Sequence, residues 1–169
     1  MKRIVLICVL ALIGTSPAFA WGREGHEVIA RIAENNLKPG VKKKIESYLG
    51  HSIVYYAKWM DEYRHTPEYG FTHPWHSCVV DENLMYVPQS NGDAIYGLTY
   101  ATENLRDYRH LSDSAVAVNI KYIIHLVGDM HCPAHIKYQG RDSGFKVRFG
   151  GDYIQPKVNA RMHSVRDYY

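Results

Sequence analysis

Two short patterns in this chain can each grip a cation. His125-x-x-x-Asp129 and His163-x-x-x-Asp167 set an imidazole and a carboxylate four residues apart, which on a helix makes them neighbours roughly 5–6 Å apart on one face. Four further residues, His26, Asp61, His76 and His135, stand in contexts that read as metal ligands. A donor set of imidazoles and carboxylates without thiolates suits catalytic zinc with open coordination positions rather than a closed structural site. Eight such residues suffice for several zinc ions.

The elements that carry these residues are predicted to be mainly helical. Residues 114–130 read as one helix, apolar nearly all round, with Val116, Val118, Ile120, Ile123, Ile124 and Val127, which puts it in the core. His125 and Asp129 lie on that helix, and a buried carboxylate without a partner costs several kcal/mol; a metal ion supplies the partner. Amphipathic periodicity predicts further helices over 25–37, 41–49, 55–63 and 94–108. Residues 66–74, with two prolines and a glycine, read as a loop, and 75–80 as a short extended segment. Phe145 to Phe149 alternates like a strand, with Gly150-Gly151 as the turn of a small hairpin. Residues 161–169 read as the opening turns of another helix. His51, His65, His73 and His110 share no ligand pattern and are assigned to surface or loops, while His131 is read as a hydrogen-bonding neighbour of the donors.

Residues 1–20 read as a secretory signal peptide: Lys2 and Arg3, an apolar run from Ile4 to Ile13, and the ending Ala18-Phe19-Ala20. The run falls well short of the ~20 residues that span a bilayer. Cleavage would make Trp21 the first residue of a single secreted or periplasmic domain, 21–169. It would leave 18 basic and 17 acidic residues, a balance of +1. Lys42-Lys43-Lys44 is the one basic run and reads as a solvated helix face, so charge gives no sign of a duplex-binding stripe. Cys8 would leave with the leader, so Cys78 and Cys132 would enter an oxidising compartment where a disulfide between them is plausible.

Taken together, Trp21-Gly22-x-x-Gly25-His26, Trp59-Met60-Asp61, His76, the run His125 to His135 with Asp129 inside it, and His163-Ser164-Val165-Arg166-Asp167 resemble the zinc-dependent, single-strand-specific nucleases of the S-one/P-one type, a family related to zinc-dependent phospholipase C. The resemblance covers nearly all of 21–169, in order. It implies an all-α fold of the phospholipase C/nuclease type with a small β-hairpin, and three zinc ions. One would be held by Asp61, His76, His125 and Asp129, and a second by His135, His163 and Asp167. The third would be held by His26, by Asp129 as a bridge and by Trp21 through its terminal amine and carbonyl. An α-amino group of pKa ~8 can lose its proton to a dication, but only after the leader is removed.

The same resemblance implies an endonuclease that hydrolyses phosphodiester bonds of single-stranded DNA or RNA with metal-activated water. Asp61 would orient or deprotonate that water, and Arg64 would hold the scissile phosphate through its planar fork. Bases of a splayed strand would stack on aromatic rings; the chain has 14 tyrosines, none of which the sequence singles out. Three departures from the family pattern are visible. Val79 replaces the carboxylate three residues after His76, Arg166 replaces the tryptophan before the last aspartate, and the chain stops two residues after Asp167, which reads as a domain short at its C-terminus. The rival readings are a zinc-dependent phospholipase C or phosphomonoesterase, and a secreted zinc-binding protein without turnover.

Overall fold

The computed structural model describes residues 23–132 and 135–139, together with the backbone of 147–149 and 152–154. Its longest helix, Asp113–Met130, begins where Ser112 Oγ accepts a hydrogen bond from the Ala115 amide at 3.2 Å, satisfying one of the donors that every helix start leaves open. This helix stands between two hydrophobic clusters. On one side Tyr122 and Leu126 pack with Met60, Trp75 and Ala101; on the other Ala117, Ile120 and Ile124 meet Ala30, Leu49, Ile53 and Ala57. The two-sided packing is the reason its sequence is apolar on most of its circumference.

Four more α-helices surround it among the described residues: α1 (Arg23–Asn36), α2 (Pro39–Leu49), α3 (Trp59–Tyr63) and α4 (Ala94–Arg106), which makes the central helix α5. Pro39 starts α2, where its missing N–H costs nothing, and Gly50 ends it in the left-handed conformation (φ 74°), its amide bonded to the Glu46 carbonyl at 2.8 Å. Glu34 of α1 is buried, with Arg31 at 2.6 Å and Lys42 of α2 at 3.7 Å, so an ion pair fastens the two helices. Asp93 caps α4 by accepting from the Tyr96 amide at 2.9 Å. An apolar cleft of about 350 Å³, walled by Ile29, Ala33, Ile45, Ile120, Ile124 and Val127 among others, contains none of the candidate ligands.

The mainly helical class agrees with the sequence reading, with differences in detail. The segment 55–63 is not one helix: Ile53–Tyr56 is a 3-10 turn and α3 follows it. The expected loop 66–74 gives way to a second 3-10 helix, Gly70–His76, which accommodates Pro74 within its short turns. Only Cys78–Val80 of the expected extended segment 75–80 is a strand (β1), and it pairs in parallel with Ile136–Tyr138 (β2), Cys78 opposite Ile136. The hairpin is present as β3 (Val147–Phe149) and β4 (Asp152–Ile154), antiparallel with Phe149 opposite Asp152. Cys78 and Cys132 are both buried and no disulfide joins them. Cys132 interacts instead with the His135 side chain, and burial together with the charge of Asp93 pushes the Cys78 thiol up. Among the described residues no helix is long and apolar enough to cross a membrane.

Candidate metal centre

Four separate elements and a turn bring six of the proposed ligands together. α1 supplies His26, α3 supplies Asp61, the 3-10 helix before β1 supplies His76, α5 supplies His125 and Asp129, and the turn before β2 supplies His135. At the centre His76 Nδ1 lies 3.1 Å from both Asp129 Oδ2 and His125 Nε2. His125 Nε2 is 3.3 Å from Asp129 Oδ2 and 3.8 Å from Asp61 Oδ1, and Asp61 Oδ1 is 3.6 Å from His76 Nδ1. Asp129 Oδ1 faces outward from this knot to His26 Nε2 at 3.4 Å and His135 Nε2 at 3.5 Å. The i, i+4 spacing on α5 does what the sequence predicts, since both its members enter the same cluster.

Two of the imidazoles are oriented by main-chain carbonyls. His125 Nδ1 donates to Ala57 O at 2.9 Å, which turns Nε2 into the cluster, and His135 Nδ1 donates to His76 O. A ring nitrogen fixed in this way aims the other into the cluster, where it can coordinate a metal. The His26 ring stacks on His125 with centroids 4.2 Å apart and planes at 16°. This stack is possible because residue 128 is glycine: a Cβ there would lie 2.3 Å from His26 Nδ1. Gly128 and Ala57 are therefore parts of the site that sequence reasoning missed. A glycine inside a long apolar helix, where it costs roughly 1 kcal/mol relative to alanine, was a signal for Gly128; a backbone carbonyl from residue 57 leaves no signal.

The electrostatics show a group of donors that repel one another unless a positive charge sits among them. Burial alone would raise the Asp129 carboxyl, but the His125 charge and the close approach of the His125, His26 and His76 rings outweigh it and hold the group well below the usual carboxylate range. Asp61 follows the same pattern: burial pushes up, while His125, His76 and Arg64 pull it below its ordinary value. Burial lowers His76, whereas for His125 the attraction of Asp129 and Asp61 overcomes burial and raises it. Without a metal, the two carboxylates favour the protonated form of His125.

The residues fit a metal ion on geometry as well as on charge. His26, Asp61 and His125 form one group, and His76, His125 and Asp129 another, whose candidate ligand atoms lie within 4.8 Å of one another. Asp129 Oδ1 is buried and makes no hydrogen bond, a costly state that coordination would relieve. Burial grades outward: His125 and Asp129 are inaccessible, while the side chains of Asp61 and Arg64 keep 24% and 27% of their surface. Arg64 Nη1 is 3.4 Å from Asp61 Oδ1, so a cation and a carboxylate stand together at the cluster's open edge. His131 is exposed and donates to the Val127 carbonyl at 2.7 Å, closing α5 rather than serving the cluster. His51, His65, His73 and His110 are exposed, as assigned from the sequence. Trp21, His163 and Asp167 lie outside the described residues.

Residues 21–168 match the family model described as S1/P1 nuclease. Among curated proteins the chain is similar to Nuclease S1 of Aspergillus oryzae, 26% identical over 167 residues that cover 90% of this chain and 57% of that protein. It is 28% identical over 164 residues to Nuclease P1 of Penicillium citrinum, covering 88% and 57%, and 25% identical over 158 residues to Endonuclease 2 of Arabidopsis thaliana, covering 83% and 54%. The chain thus spans a little over half the length of these relatives.

Proposed function

The chain belongs to the S1/P1 nuclease family, and we propose that it is a secreted zinc-dependent endonuclease that hydrolyses phosphodiester bonds in single-stranded DNA or RNA. The observation that carries this reading is the convergence of Asp61, His76, His125 and Asp129, with nitrogen and oxygen donors 3.1–3.8 Å apart, beside an accessible arginine. The donor set suits three zinc ions: one on these four residues, one on His26, Asp129 and the Trp21 terminus, and one on His135, His163 and Asp167. Zinc held this way would acidify water and neutralise charge on the phosphoryl group.

The protein's own groups divide the remaining work by their exposure. Asp61, ionised and at the rim, is positioned to accept a proton from the water that attacks phosphorus in line. Arg64 binds non-bridging phosphate oxygens through two N–H groups, releasing its hold on Asp61 as substrate arrives. Asp129 is too deeply buried to meet substrate, so its role is to hold charge and bind metal. His76 and His125 must be neutral to act as ligands, which burial favours for His76 and the Ala57 hydrogen bond makes geometrically possible for His125. Leader cleavage before Trp21 would supply the terminal amine and deliver the protein to a periplasmic or extracellular location.

The deciding experiment is metal analysis of the purified secreted protein, coupled to release of acid-soluble nucleotides from denatured and duplex DNA. The reading expects zinc near three equivalents, cleavage of the denatured strand in preference to the duplex, loss of activity with chelator and recovery with zinc. A zinc-loaded protein that leaves single strands intact would overturn it in favour of zinc binding without turnover.

A further inference from the structure

Two of the histidines outside the cluster stand together on the surface beside it. His65 and His73 are both exposed, and their ring centroids lie 5.7 Å apart with the planes at 68°. Two imidazoles bound to one tetrahedral zinc, with Zn–N of about 2.0–2.1 Å, have ring centroids roughly 5–6 Å apart. The pair therefore has the separation that one shared cation requires. Nitrogen donors of this kind suit zinc rather than magnesium or calcium, which take oxygen ligands.

The backbone under both rings is fixed. Thr66 closes the turn after α3, its amide and its Oγ1 donating to the Tyr63 carbonyl at 2.9 and 2.7 Å, and His65 sits inside that turn. Thr72, which is buried, repeats the device on the Tyr69 carbonyl at 2.9 and 2.7 Å, and His73 follows it with Pro74 next. Gly70 brings the two turns against each other, since a Cβ there would lie 4.0 Å from the Arg64 carbonyl. A site whose supports are ordered before binding loses less affinity to ordering.

Arg64 joins the pair to the candidate metal centre. Its Nε donates to His65 Nε2 at 3.4 Å, while its Nη1 lies 3.4 Å from Asp61 Oδ1. One guanidinium thus spans an imidazole of the surface pair and a carboxylate of the cluster. A metal on His65 breaks the first of these contacts whichever ring nitrogen it takes. Bound at Nε2 it occupies the lone pair that Arg64 uses; bound at Nδ1 it leaves the proton on Nε2, which then has nothing to accept with. The added positive charge also repels the guanidinium. Both effects drive Arg64 towards Asp61, where it neither reaches a phosphate nor frees the carboxylate to take a proton.

We propose that His65 and His73 bind an additional zinc ion, more weakly than the cluster binds its own, and that its occupation slows cleavage by holding Arg64 on Asp61. The weaker binding follows from two protein donors in place of three or more, so this ion enters only when zinc is in excess. Its effect on cleavage rests on the phosphodiesterase reading of the metal centre; its binding does not.

The test uses the full chain loaded with zinc and then freed of unbound metal. Calorimetric titration with zinc chloride is expected to show one further binding event in the parent and none in His65→Ala or His73→Ala, with urea midpoints unchanged because both side chains are exposed. Release of nucleotides from denatured DNA is expected to fall about tenfold in the parent as the further zinc binds, within the range of about 5–150-fold that coupled sites show. His73→Ala should cleave at the parental rate before zinc is added and hold that rate afterwards. An equal further binding event in His73→Ala overturns the site. Further zinc that binds the parent without slowing it, or that slows His73→Ala to the same degree, overturns the coupling through Arg64. A parent that takes up the further zinc through these imidazoles but cleaves no strand at any zinc concentration overturns the nuclease reading and leaves the binding site standing.

Discussion

Asp129 is the residue on which the centre turns, because its two carboxylate oxygens face two different groups of imidazoles. Asp129→Asn keeps the shape and removes the charge. It is expected to lower zinc affinity by more than the ~100-fold that follows loss of a mere supporting hydrogen bond, which equilibrium dialysis would reveal; unchanged zinc content would exclude Asp129 as a ligand. Gly128→Ala tests the site from the other side. Alanine improves helix propensity by about 1 kcal/mol, but its methyl would lie 2.3 Å from Nδ1 of the buried His26, an overpacking cost of roughly 1–3 kcal/mol, so the protein should lose stability and, with His26 displaced, zinc content should fall. A fully metal-loaded Gly128→Ala protein would show that the His26 position is not required. At this scale much was legible beforehand: histidines and aspartates at helical spacing declare their chemistry by type. What stayed hidden were contacts that owe nothing to side-chain chemistry, the Ala57 carbonyl that turns His125 from 68 residues away and the space above Gly128.

At the scale of elements, α4 and α5 meet through a slot that holds Trp75. Gly97→Ala forces a methyl against two buried side chains, and overpacking of this sort costs roughly 1–3 kcal/mol, more than the gain in helix propensity. Urea unfolding of the variant should show the midpoint moving down; an upward shift would mean the slot yields. α1 and α4 could be read from periodicity because each has one face turned to a core, and α5 because packing on two sides makes it apolar on most of its circumference. The region 53–76 could not. Its 3-10 segments are too short to display a period, and Pro74 reads as a loop marker although Thr72, Trp75 and His76 around it are buried. The parallel pairing of β1 with β2 was equally invisible, since it joins Cys78 to Ile136 across 58 positions and three-residue strands carry almost no pattern of their own.

For the molecule as a whole, the directions of the shifts predict opposite pH preferences with and without metal. In the metal-free protein the lowered carboxyls of Asp61 and Asp129 give stability present above their unfolded values, about 4, and lost as pH falls through the folded ones. The lowered His76 likewise loses its contribution as pH drops below ~6.5. His125 and His135, raised, contribute fully below ~6.5 and lose it as pH rises through their folded values. With two raised imidazoles against one lowered, the metal-free protein is expected to be most resistant to urea on the mildly acid side of neutrality. Zinc requires neutral imidazoles, so added zinc should move that optimum to neutral or higher pH and, at 100 times its dissociation constant, add about 2.7 kcal/mol. Metal-free and zinc-loaded curves with coincident optima would refute this.

The donors of the cluster run from residue 26 to residue 135, and any short stretch of the chain offers only two or three of the proposed ligands, as at 125–135 or at His163 and Asp167. A polypeptide still being synthesised or drawn through a pore consequently has no complete seat for the cation. Capture has to follow folding, so the compartment in which the chain first becomes compact is the one whose zinc supply decides whether it ever works.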